Sequence, residues 1–119
     1  MEQKLFDYID STIRAERLYA NVNLMRADVM HRFCVGRHRL NALLNDYAAG
    51  KSFPRYINDI RMEVARELLS TRFDLSVSEV ARHAGLTSAN LRKLFGRQFG
   101  MSPTRYRQHV ARGKMPPLP

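Results

Sequence analysis

The amino-acid sequence points to an all-α protein of about seven helices, two helix-turn-helix subdomains joined by a linker helix. Three observations carry that expectation. Apolar residues recur at helical spacing along the chain, as in Leu5, Ile9 and Ile13 or Leu40, Leu43 and Leu44. The sequence repeats itself: Leu24 and Leu75, Val29 and Val80, Cys34 and Gly85, Leu40 and Leu91, Leu43 and Leu94, and Leu44 and Phe95 all pair at an offset of 51. Past the second helix of each copy the offset is 50, pairing Gly50 with Gly100, Ser52 with Ser102, Arg55 with Arg105 and Tyr56 with Tyr106, so the first copy has one extra residue near Ala48 or Ala49. Glycines, caps and tyrosines thus share one frame with the leucines, and the chain carries two candidate recognition helices.

The elements follow in order. Leu5, Phe6, Ile9, Ile13, Leu18 and Tyr19 predict an amphipathic helix over residues 3–19, interrupted at Asn21 to Asn23. Val29 and Phe33 mark a short helix from about Arg26, and a turn at Cys34, Val35 and Gly36 follows. Gly36 is an acceptable N-cap for the first recognition helix, whose inward face is Leu40, Leu43, Leu44 and Tyr47. Gly50 closes the copy. Ser52, Phe53 and Pro54 open a linker helix to about Ser70, with Ile57, Ile60, Val64, Leu68 and Leu69 inward. At ~1.5 Å per residue it would be a stiff spacer of about 25 Å that fixes the orientation of the copies.

The second copy opens with Ser76 and Glu79 at the spacing of a capping box, and Gly85 supplies the turn. Thr87 or Ser88 caps the second recognition helix, with Leu91, Leu94, Phe95 and Phe99 inward; Gly100 ends it. Ser102 and Pro103 start a last helix through about Arg112, and Pro116, Pro117 and Pro119 belong to a frayed tail. The expected organisation is a first subdomain over 1–52, a linker helix over 53–70, a second subdomain over 71–112 and a tail over 113–119. Met25, Met30 and Met62 read as core fillers.

Charge is distributed unevenly. The net charge of +9 comes from 20 Lys and Arg against 11 Asp and Glu, yet no acidic residue follows Glu79. Residues 80–119 supply +8 through Arg82, Arg92, Lys93, Arg97, Arg105, Arg107, Arg112 and Lys114, and residues 1–79 only +1. That asymmetry favours a polyanionic partner, nucleic acid before an anionic membrane. Cys34 is the single cysteine, so an internal disulfide is excluded and a reducing cytoplasm is expected. No apolar run approaches the ~20 residues that span a bilayer, and Glu2 and Asp7 around Leu5 and Phe6 do not suit a signal peptide. Cys34 and His38 are spaced as a ligand pair and His31 is near, but a structural zinc site wants four ligands with several thiolates, so no metal is expected. Nothing resembles a nucleophile elbow, a phosphate loop or paired catalytic carboxylates. The expectation is no enzyme and no cofactor.

The segment from Leu75 through Ser76, Glu79, Val80, Ala81 and Ala84 to Gly85, followed by Leu91-Arg-Lys-Leu-Phe95, Phe99-Gly-Met-Ser-Pro103 and Tyr106-Arg107, resembles the C-terminal signature of AraC/XylS-type transcription regulators. Upstream, Phe53-Pro-Arg-Tyr-Ile-Asn58 with Arg61, Ala65, Leu68 and Leu69 is similar to the linker helix of that family, so the resemblance spans about residues 24–107. It implies an all-helical domain with two helix-turn-helix subdomains that regulates transcription from promoter DNA. The first copy departs from the pattern: Met30 replaces a small alanine, Cys34 stands where glycine is common, and an extra residue precedes Gly50.

A recognition helix buries one side and offers the other to base edges in the major groove. With Leu40, Leu43 and Leu44 inward, steps of about 100° put His38, Asn41, Ala42 and Asn45 outward and Arg37 and Arg39 on the flanks. Asn41 suits an adenine edge, and His38 can donate to a guanine. In the second helix Ala89, Arg92, Lys93 and Gly96 face outward with Ser88 at the entrance; Arg92 and Lys93 are candidates for guanine or phosphate. Backbone N–H groups at each helix start, aided by Thr87 or Ser88, can hold a phosphate. Arg97, Arg105 and Arg107 would add charge. The expected partners are promoter double-stranded DNA, RNA polymerase, and a sensor or signalling domain for which 119 residues leave no room, making the chain either a fragment of a larger regulator or a free-standing small one. The rivals are a nonspecific cationic protein coating nucleic acid or membrane, and a protein-interaction module.

Overall fold

A computed structural model of the protein describes residues 2–113, and its regular structure is helical, with seven α-helices and no strand among the described residues. The chain divides into two compact units whose boundary falls between Ile60 and Arg61. That boundary lies inside helix α4 (Phe53–Thr71). The linker helix is therefore divided between the units, its first turns packing in one core and its later turns in the other. Of the tail, Lys114, Pro116, Pro117 and Pro119 lie outside the described residues.

In the first unit, α1 (Glu2–Ala15) buries Ile9, Thr12 and Ile13. It stops short of the expected residue 19 because Arg17 adopts a left-handed backbone, φ 56°, and the chain turns through a 3-10 segment, Leu18–Ala20, that buries Tyr19. A straight continuation would have carried Tyr19 off the Ile9 and Ile13 face. The Asp28 carboxylate accepts the Met25 N–H at 2.8 Å at the start of α2 (Arg26–Phe33). Met25 itself is 67% exposed and Met30 half-buried; of the three expected core methionines only Met62, in the second unit, is buried. Cys34 ends α2 in the left-handed region at φ 54°. After buried Val35, Gly36 opens α3 (Arg37–Tyr47), which buries Leu40, Leu43 and Leu44. Tyr47 is exposed, although its ring rests 5.7 Å from that of Phe6.

The extra residue of the first copy is absorbed at the end of α3. Ala49 and Gly50 both take positive φ, 55° and 72°, and the Gly50 N–H donates to the Leu44 carbonyl at 3.2 Å. In the second copy Gly100 alone makes the corresponding turn, at φ 69°. Phe53, Tyr56, Ile57 and Ile60 of α4 complete the first core, and the Tyr56 hydroxyl bonds the Asp10 carboxylate.

The second core joins Met62, Ala65 and Leu69 of α4 to Val80 and Ala81 of α5 (Val77–His83), Leu91, Phe95 and Phe99 of α6 (Ser88–Phe99), and Tyr106 of α7 (Pro103–Ala111). Phe95 lies 4.5 Å from Phe99 and 5.1 Å from Tyr106 between ring centroids. Val64, Leu68 and Leu94, expected inward, pack at the rim and are only partly buried. Caps fix the boundaries. The Ser76 hydroxyl accepts the Glu79 N–H and the Glu79 carboxylate accepts the Ser76 N–H, both at 3.0 Å. The Thr87 hydroxyl accepts the Asn90 N–H at 3.1 Å, which settles the cap on Thr87 rather than Ser88. Ser102 caps α7 ahead of Pro103 in the same way.

Candidate nucleic-acid interface

Each candidate recognition helix, α3 and α6, is positioned by the apolar residues on its inner side, which leave the opposite face uncovered. On α3, Arg37, His38, Asn41, Ala42 and Asn45 are all exposed. Asn41, His38 and Arg37 make no side-chain hydrogen bond among the described residues, while the Asn45 amide donates to the Asp46 carboxylate at 3.3 Å. The face is nearly neutral, with amides able to donate and accept along a base edge.

On α6, Ala89, Arg92, Lys93 and Arg97 are exposed and Ser88 is half-buried. The Ser88 hydroxyl lies 3.2 Å from the Ser78 hydroxyl of α5, tying the entrance of α6 to the preceding helix. Thr87, exposed, spends its oxygen on the cap but keeps its own hydrogen for another acceptor. No ion pair engages Arg92, Lys93 or Arg97 among the described residues, as expected where no carboxylate follows Glu79 in sequence. Small Ala89 and Gly96 flank these cations, and a Cβ added at Gly96 would meet nothing within 4 Å. This arrangement presents fixed positive charge from a helix held rigidly by Leu91 and Phe95.

Arg107 is a correction. Expected as surplus surface charge, it instead donates to the carbonyls of Leu69 at 3.2 Å, Arg72 at 3.0 Å and Leu75, and stacks 5.6 Å from the Phe73 ring. It ties the last turn of α4, through the Leu69 carbonyl, to the loop that follows it, through those of Arg72 and Leu75, and places a cation at the negative end of the helix. Arg105 remains exposed.

The electrostatics of the first unit hold what the sequence did not disclose. Arg39 on α3 donates to Glu2 of α1 at 2.9 Å, and Arg32 donates to both oxygens of Glu16 at 2.9 and 2.7 Å. These hydrogen bonds hold both carboxyls below the usual glutamate range. The pairs are 37 and 16 positions apart, so no local pattern announces them. Arg61, in the linker helix, is buried, which lowers its pKa from the usual arginine value through desolvation. No helix among the described residues is long and apolar enough to cross a membrane.

A family profile described as helix-turn-helix domain matches residues 29–109. Among solved structures, the chain is similar to the C-terminal domain of AraT, a response regulator from Geobacillus stearothermophilus, with a TM-score of 0.70 and 26% sequence identity, over 96% of this chain and 85% of that one. No curated protein matches the chain.

Proposed function

The chain belongs to the AraC-type helix-turn-helix family, and from that premise we propose that it binds double-stranded DNA sequence-specifically and regulates transcription, with α3 and α6 entering successive major grooves. The observation that carries the proposal is α6: Arg92, Lys93 and Arg97 stand exposed and unpaired among the described residues on a helix whose other side is locked by Leu91 and Phe95. The tandem repeat supports a second reader, and Asn41 on α3 supplies the amide that suits an adenine edge. Arg37, His38, Ala42 and Asn45 complete its face, as Thr87, Ser88 and Ala89 complete that of α6. Thr87 and Ser88 stand at a helix start where N–H groups favour a phosphate. We assign no catalytic role. Contact with RNA polymerase and control by a sensor or signalling domain belong to the same proposal.

Selection of bound sequences from a random duplex pool, followed by footprinting of the recovered site, tests it. One chain should protect about 20 base pairs on one face, because successive major grooves lie roughly 34 Å apart. Protection of half that length would contradict the two-groove reading. Recovery of no preferred sequence, with equal loss to any competitor duplex as salt rises, would replace the reader with a nonspecific coat.

A further inference from the structure

The two recognition helices differ in what surrounds their cations. On α6 no carboxylate is in reach among the described residues, whereas on α3 the guanidinium of Arg39 is already occupied: Nη2 donates to Glu2 Oε1 at 2.9 Å and Nε faces Oε2 at 3.4 Å. Glu2 sits at the start of α1, a helix anchored independently by Ile9 and Ile13, which are buried, and by the contact of Phe6 with Tyr47 and Tyr56. The pair therefore contributes little to holding α1 in place. Its side chains are 54% and 49% exposed, so water screens it and the bond is easily exchanged.

Arg39 follows His38 by one position, about 100° around the helix, on the flank of the outward face. From a flank, a long side chain reaches the phosphate backbone rather than a base edge. A phosphate offers a guanidinium the same paired anionic oxygens that a carboxylate does. Resting on the reading of the chain as a DNA binder, we propose that Arg39 is a further phosphate contact of the first subdomain and that Glu2 competes with DNA for it, so that α1 holds down the affinity of the first reader. Glu2 occupies on the free protein the place that a phosphate takes in the complex.

Equilibrium titration of a duplex recovered by the selection above tests this, using the parent, Glu2→Gln, Arg39→Ala, the double variant, and Asp7→Asn as a control. Asp7 is an exposed carboxylate of the same helix, so its variant makes the same change in net charge. Glu2→Gln should bind about two- to fivefold tighter, the strength of an exposed ion pair expressed as affinity. The gain should vanish in the Arg39→Ala background, and Asp7→Asn should gain less. Equal affinity of the parent and Glu2→Gln, a gain that survives loss of Arg39, or an equal gain from Asp7→Asn would each overturn the proposal. A parent that binds duplex DNA without responding to Glu2 defeats this inference alone, whereas a parent that binds no duplex even at low salt defeats the DNA-binding reading together with it.

Discussion

Cys34 and Arg107 show how a single side chain reveals its role only through backbone context. Cys34 closes α2 at φ 54°, a conformation that costs a residue with a Cβ but not glycine, and its thiol makes only a long contact with the His31 carbonyl at 3.9 Å. Cys34→Gly should therefore raise stability by about 0.5–1 kcal/mol despite the greater freedom of glycine in the unfolded chain. A higher melting temperature checks it, and an unchanged or lower one denies strain at this turn. Arg107, by contrast, looks in sequence like any exposed arginine of a basic half. Its three carbonyl partners lie 32 to 38 positions away, so its role could not be read locally. Arg107→Ala should cost about 2 kcal/mol by leaving those carbonyls without their charged donor. The salt dependence of DNA binding by the folded variant should stay that of the parent; a loss of slope without a loss of stability would return Arg107 to the DNA surface.

Helices α5, α6 and α7 were legible because their boundaries are written in short-range chemistry: Ser76 with Glu79, Thr87 with Asn90, Ser102 with Arg105, and Gly100 at the left-handed stop. Helix α1 ends earlier than its apolar periodicity predicts because its end rests on Arg17, a residue type with no preference for the left-handed turn it makes. The partly buried Leu94 and exposed Met25 show the other limit, since periodicity gives the direction of a side chain but not how much of the chain lies over it. The Ser76 capping box also has a pH signature. Hydrogen bonds from the Ser76 backbone and side chain lower the Glu79 pKa from its usual 4.5, and Arg72 beside Asp74 lowers that carboxyl from 3.8 to about 2. Each depressed group contributes stability that is complete above its ordinary pKa and is lost as pH falls through the lower folded value. The melting temperature of the protein should thus fall as pH drops below about 4.5, and Glu79→Gln, which keeps an acceptor but cannot titrate, should show a shallower fall. Parallel pH profiles for parent and variant would remove Glu79 from that account.

Across the chain the partition of charge follows from where carboxylates are. Residues 80–119 contain none, so the cations of α6 have no partner in their own stretch of sequence, while Glu2 and Glu16 of the first half engage Arg39 and Arg32. The existence and order of both repeats were legible from the offsets, because glycines, caps and aromatics mark the same frame in each. The pairing of α1 with α3 was not, because it depends on how distant helices pack. If both readers act, the second should supply most of the salt-dependent affinity and the first more of the discrimination, through the uncharged Asn41, Ala42 and Asn45. The most direct measurement is binding titrated over a range of salt on the selected site and on single-base variants of it, for the parent, Asn41→Ala, and Arg92→Ala combined with Arg97→Ala. Loss of both arginines should reduce the slope of log affinity against log salt by nearly 2, at ~0.9 for each phosphate contact. Asn41→Ala should leave that slope unchanged and instead relax the preference at one base position by about 1–3 kcal/mol. A full slope without Arg92 and Arg97, together with undiminished discrimination without Asn41, would contradict the account.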